Sequence, residues 1–236
     1  HPSDLAAHAA HARRLAEKAA STGAYWRCAM QRPPHFPRSL RSRPFHDASE
    51  FVWATTLLRT FDEMRSEALA LSKSPVGAEP SAWDSVGSKH DAGDANLSDG
   101  GDWTEVILLH SDEALAPQIS RNRRRCPTTA AALAAIAPAA DMAKRGIGEC
   151  TLSSLGAGAH LQPHCGSTNA RLTCHLPLVV PDGCEIRVGD ETRQYREGEL
   201  LFFDDSYEHE VWNRHPTDRR IVLLLRFWHP DIPADK

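Results

Sequence analysis

Between Cys150 and Phe227 the chain is cut by Pro and Gly into short, apolar, β-branched runs, which constrains this half to a small β-barrel or sandwich. Residues 150–155, 171–180, 185–188, 200–203, 208–212 and 220–227 read as strands. Pro181-Asp182-Gly183 and Val188-Gly189-Asp190 read as turns between them. One earlier segment, 103–109, alternates well enough for a further strand. The rest of the first half is written for helices. Residues 3–20 are Ala-rich with a Ser3 cap, and 49–72 carry a stripe of Phe51, Leu57, Leu58, Phe61 and Met64. Residues 127–143 form a third helical pattern, interrupted or kinked at Pro138. Helices first and strands afterwards predict a mainly β, α+β chain: a jelly-roll or cupin-like double-stranded β-helix buttressed by N-terminal helices.

Three stretches follow. Residues 1–73 are expected to be a helical part packed on the core. Residues 74–100, rich in Ser, Gly, Asp and Pro, read as a flexible insertion loop. Residues 101–236 are expected to form the double-stranded β-helix. At 236 residues and 41% hydrophobic content the chain can bury one sizeable core. Its net charge of −4 argues against a dedicated nucleic-acid binder. The run Arg121-Asn122-Arg123-Arg124-Arg125 is the local exception and reads as a solvated loop. No stretch approaches the roughly 18–20 apolar residues of a membrane span. The chain opens at His1 rather than Met, which reads as a fragment, so the compartment is left unassigned. The six cysteines show no CxxC spacing, which disfavours a zinc ribbon, while their even number permits disulfides. Cys165 reads as a small packing residue beside His164.

The chemistry concentrates at two histidines, each in a segment that reads as a strand end. His164 lies in Leu161-Gln162-Pro163-His164-Cys165-Gly166, and His209 in Asp204-Asp205-Ser206-Tyr207-Glu208-His209-Glu210-Val211-Trp212. Two imidazoles brought together inside a barrel suggest a non-haem iron site. The commonest such site adds a carboxylate two residues after the first His, and here that position is Gly166. Taken singly, each His also has a plain reading as a buried, hydrogen-bonded imidazole. Pattern alone leaves the two readings open.

The wording of three segments goes further. Residues 162–172 (QPHCGSTNARL), 203–212 (FDDSYEHEVW) and Phe227-Trp228-His229-Pro230 closely resemble the aspartyl/asparaginyl β-hydroxylase family, and Gly101-Asp102-Trp103 resembles the start of its catalytic domain. In that family iron is held by two His alone, with Gly where the carboxylate would be. The resemblance therefore implies His164 and His209 as iron(II) ligands, a double-stranded β-helix, and 2-oxoglutarate and O2 as cosubstrates. It implies Arg220 as the anchor of the distal carboxylate, which suits the planar, bidentate fork of a guanidinium. Arg219, the adjacent alternative, points to the opposite face by strand alternation. Ser153, His175 and Trp103 match further cosubstrate-contacting positions. Where the family has a basic residue two before His175, this chain has Thr173, and Arg171 is the nearby substitute. Asp205 matches an acidic residue near substrate and iron, against a plain reading as a turn Asp.

The function implied is an iron(II)- and 2-oxoglutarate-dependent dioxygenase. It would hydroxylate the β-carbon of an Asp or Asn residue in a polypeptide, with succinate and carbon dioxide as coproducts. A membrane-anchored parent of the endoplasmic reticulum is compatible with the resemblance. The competing reading, favoured by Thr173, is a non-catalytic β-barrel binding module that has lost turnover. Oxidative halogenation, with a halide in the position Gly166 leaves open, is a third.

Overall fold

The structure is a computed structural model that describes residues 28–73, 82–88, 94 and 96–233. The helix expected over 3–20 lies outside the described residues. The described residues form β1 Phe45–His46, β2 Asp84–Ser85, β3 Ser98–Asp99, β4 Trp103–Leu109, β5 Cys150–Leu155, β6 His160–His164, β7 Arg171–Val179, β8 Cys184–Val188, β9 Glu191–Gln194, β10 Leu201–Phe203, β11 His209–Asn213 and β12 Arg220–Trp228. The expected strands are β4, β5, β7, β8, β10, β11 and β12, β6 ends at His164 as read, and β1, β2, β3 and β9 are additional. They form two antiparallel sheets. The large sheet runs β1-β10-β7-β12-β5-β4-β2 and the small one β3-β6-β11-β8-β9. From β5 to β12 the chain passes back and forth between the sheets, with only β8 and β9 consecutive in one of them, which makes this a double-stranded β-helix. Two of the expected turns are built on Gly in the left-handed region, Gly183 at φ 82° and Gly189 at φ 60°, where a side chain is strained.

The helical half differs from expectation in detail. The pattern over 49–72 is two helices, α1 Ala54–Arg59 and α2 Phe61–Ser72, divided at Thr60. The pattern over 127–143 is likewise two, α4 Pro127–Ala134 and α5 Ala137–Lys144. Pro138 does not kink a continuous helix. It sits in the first turn of α5, where its missing N–H costs nothing. The basic run is not a loop. It is the last turn of α3 Ala116–Arg125, where arginines suit the negative end of the helix, while Asn122 is buried and donates to the Ile107 carbonyl at 2.9 Å. Within 74–100, β2 and β3 pair with β4 and β6, so part of that segment is tied to both sheets.

Strand alternation divides the core. On the outer face of the large sheet Leu152, Leu172, Cys174, Leu176, Leu223, Leu225 and Phe227 pack with Leu57, Met64, Leu133 and Ile136 of the helices. Between the sheets Leu155, Leu161, Ile186, Val188, Phe203, Val211 and Val222 form a second core. Each fully buried Leu or Ile contributes about 1.5–3 kcal/mol. The large sheet is thus buried on both faces, which is why its strands read as nearly continuous apolar runs. All six cysteines are free. No helix among the described residues is long and apolar enough to cross a membrane.

Candidate functional site

At one end of the inter-sheet core the apolar filling gives way to polar side chains. They line a cavity of about 40 Å³ bounded by Trp103, Ser153, His164, Thr173, His175, Asp205, His209, Arg220 and Arg226, with Leu161, Phe203, Val211 and Leu224 between them. Larger depressions lie on the surface, of about 630 Å³ beside Asp102 and Arg219 and 460 Å³ beside Trp228. The lining of the inner cavity, rather than its size, distinguishes it.

β6 and β11 are antiparallel neighbours with His164 directly opposite His209, and the ring centroids are 4.1 Å apart. Each Nδ1 lies against a carbonyl oxygen two residues back, His164 at 2.7 Å from Gln162 and His209 at 2.9 Å from Tyr207. A carbonyl can only accept, so both Nδ1 atoms carry the proton and both Nε2 atoms keep a lone pair. Burial, reinforced by His164, pushes His209 down to about 3, and burial lowers His164 as well. Both rings are therefore neutral at pH 7, the state a metal requires.

No group of three or more His, Cys, Asp or Glu suited to hold a metal occurs among the described residues. Gly166 explains why the third position is missing. A Cβ there would lie 2.6 Å from Asp205 Oδ1 and 3.0 Å from its carbonyl oxygen, which itself accepts from the Gly166 N–H at 2.7 Å. A carboxylate on residue 166 cannot enter without displacing Asp205.

Asp204 and Asp205 divide the two roles considered for this pair. Asp204 is the turn residue, accepting from the Ser206 N–H at 3.0 Å and the Ser42 hydroxyl at 2.9 Å. Asp205 faces the cavity. It accepts from Arg171 Nε and Nη2 at 3.1 and 3.0 Å and from the Thr173 hydroxyl at 3.1 Å, with Arg226 Nε 3.8 Å away. Burial pushes its carboxyl up, but Arg171, Arg226 and His209 outweigh that and hold it below the usual carboxylate range.

Arg220 is the opposite case. It opens β12, is 1% exposed and ranks among the largest fully buried side chains. Its guanidinium lies over the Tyr195 ring at 4.9 Å, yet Nε and Nη1 have no hydrogen-bond partner. A buried guanidinium with unsatisfied donors costs several kcal/mol, and its two open nitrogens are what an anion would satisfy. Arg219 points outward as expected and pairs with Asp102 at 3.0 Å. Around Arg220, Ser153 Oγ accepts from Trp103 Nε1 at 3.0 Å. His175 Nδ1 is 2.9 Å from the Tyr195 hydroxyl while its Nε2 is buried without a partner. Burial, then Arg220, drives His175 well below its ordinary value, and burial pushes Tyr195 up to about 12, so both stay neutral.

The residues assigned to the site from the sequence, His164, His209, Asp205, Trp103, Ser153, Arg171, Thr173, His175 and Arg220, are thus in or beside one cavity, and Arg219 is outside it. Two were missed. Tyr195 follows β9 and carried no sequence signal. Arg226 did carry one, since it shares the inner face of β12 with Arg220, Val222 and Leu224 by period two. Cys165 is half-buried and its thiol is pushed up to about 11 by burial, as suits a packing residue.

A family model described as Aspartyl/Asparaginyl beta-hydroxylase matches residues 59–230. Among similar proteins, the mouse Aspartyl/asparaginyl beta-hydroxylase is 37% identical over 143 residues, 59% of this chain and 18% of that one. The mouse Aspartate beta-hydroxylase domain-containing protein 1 is 42% identical over 128 residues, 53% of this chain and 34% of that one. The chain therefore spans about a fifth to a third of the length of these relatives. A cupin 2 conserved barrel domain protein from Rhodopseudomonas palustris overlaps 57% of this chain and 69% of its own at 14% identity with a TM-score of 0.32, and carries no weight beside the strand order itself.

Proposed function

The chain belongs to the aspartyl/asparaginyl β-hydroxylase family, and from that premise we propose that it is an iron(II)- and 2-oxoglutarate-dependent dioxygenase acting on the β-carbon of Asp or Asn residues in a polypeptide. One observation carries the reading: two neutral histidines with free Nε2 lone pairs share a cavity with Arg220, a buried cation with two nitrogens left without a hydrogen-bond partner.

The residues fit the groups this chemistry needs. His164 and His209 would hold the metal through Nε2, their orientation held by the carbonyls of Gln162 and Tyr207. Gly166 keeps a third protein ligand out, which leaves positions for exchangeable ligands. Arg220 would take the distal carboxylate of 2-oxoglutarate, with Ser153 and the His175 Nε2 beside it. Trp103 positions the Ser153 hydroxyl, and Tyr195 sets the His175 ring. Iron(II), when bound, supplies the activation of oxygen coupled to decarboxylation of 2-oxoglutarate. The chain's own part is to bind, orient and exclude water. Asp205, held ionised by Arg171, offers a fixed charge beside the histidines for water or the substrate backbone.

The test is anaerobic titration with iron(II) and 2-oxoglutarate, then oxygen exposure and succinate quantification with Asp- and Asn-containing peptides. Iron-dependent succinate that vanishes in His164→Ala and His209→Ala supports the reading. Absence of any metal-dependent 2-oxoglutarate binding sinks it and leaves the binding module.

A further inference from the structure

Thr173 stands where the family resemblance calls for a cation, and Arg171 is already engaged by Asp205 and the Ile147 carbonyl. The charge is found on the next strand. β7 and β12 are antiparallel neighbours, and the residue directly opposite Thr173 is Arg226. Cross-strand partners sit about 5 Å apart on one face, so an Arg on either strand reaches the same volume. Arg226 lines the cavity, and its Nη1 is steadied by Glu149 at 2.7 Å. Its Nε also lies 3.8 Å from Asp205, and with five donors a guanidinium can serve more than one acceptor. Arg226 also lies six residues beyond Arg220 on the same face of β12, about 20 Å along the strand. Two long side chains can converge from that separation on the ends of a small dicarboxylate between them.

We propose that Arg226 is the second anion-contacting residue of the cavity, supplying from β12 the charge that β7 lacks at Thr173 and contacting the 2-oxoglutarate carboxylate nearer the two histidines. This rests on the cosubstrate reading above and deepens it. The cation has moved across a strand pair, and Thr173 has become a donor to Asp205. On this account Thr173 is no sign of lost turnover.

The experiment is calorimetric binding of 2-oxoglutarate to the iron(II)-loaded protein without oxygen. Arg226→Gln weakens binding about 10- to 100-fold, the scale of a charge-assisted contact. The double variant T173R/R226Q, which moves the charge back to β7, recovers binding to within about threefold. R226Q/E149Q, which removes both halves of the ion pair, binds as weakly as R226Q. If R226Q binds like the wild type while Arg220→Gln is weakened, the assignment of Arg226 falls and the cosubstrate reading stands. If R226Q is weakened but T173R/R226Q, folded by circular dichroism, is not restored, or R226Q/E149Q binds like the wild type, Arg226 is only a partner of Glu149 and the proposal falls. Absence of binding by the wild type overturns both readings together.

Discussion

The two ends of the cavity handle buried charge in opposite ways. At one end Arg171, Arg226, Asp205 and Glu149 are gathered into a compensated cluster. At the other Arg220, 1% exposed, is the largest fully buried side chain among the described residues, with two nitrogens left unsatisfied. Breaking a compensated buried pair is costly, whereas an uncompensated cation lowers stability until a ligand arrives. The first end is built for the fold as well as the site. The second leaves donors open to an anion, and the histidines line the same cavity.

The sharpest way to break this contrast is at the histidines, which belong to neither cluster. His164→Ala or His209→Ala is expected to weaken metal binding by more than about 100-fold, since supporting groups alone are commonly worth 10- to 100-fold. Calorimetric metal titration reads it, and near-normal affinity would remove both from the ligand set. Next come the two ends. Asp205→Ala strands the buried Arg171 and should cost about 3–5 kcal/mol in denaturant unfolding. Arg220→Leu should cost nothing or raise the melting temperature, yet abolish stabilisation by 2-oxoglutarate. Equal destabilisation by both would erase the distinction.

A smaller effect is expected at Gly166. Gly166→Ala drives a Cβ into Asp205 and should cost about 1–3 kcal/mol, with metal affinity no higher. The smallest is with pH. His209 and His46, buried and lowered to about 3 and 4, stay neutral in the fold while the unfolded chain takes up protons below about 6.5. More protons bound in the unfolded state means stability falls as pH falls, by about 1.4 kcal/mol per unit for each histidine. Asp204, pushed up to about 7 by burial, opposes this between about 4 and 7 with one proton. His175 and His164, also lowered by burial, add to the same side, so the metal-free protein should lose stability by at least about one proton's worth per unit from pH 6.5 down to about 4. A flat profile would place a histidine in its charged form.

Much of this was legible in the chain. β5 runs over 150–155 as read, and β7, β8, β10, β11 and β12 lie within one residue of their expected bounds, because short apolar runs punctuated by Gly and Pro have few other solutions. The helices were less legible: the stripe over 49–72 predicts which face is buried but not the break at Thr60, and the interruption expected at Pro138 falls just before it, at Ala135 and Ile136. The arginine run was misread because charge alone does not reveal that Asn122 among it turns inward to the Ile107 carbonyl. Gly166 was noticed as a missing carboxylate, and only Asp205 folded against it explains why nothing larger fits.

The family resemblance singled out Arg220, His175 and Ser153, and local sequence, through period two and turn chemistry, marked the strands and set Arg219 and Arg220 on opposite faces. Local sequence could not determine register. That His164 meets His209, that Asp205 meets Arg171 rather than serving the turn, and that Arg226 stands opposite Thr173 are pairings between strands far apart in the chain. Such pairings are decided when the two sheets close over a shared core, because a slip of one residue would turn every buried side chain outward.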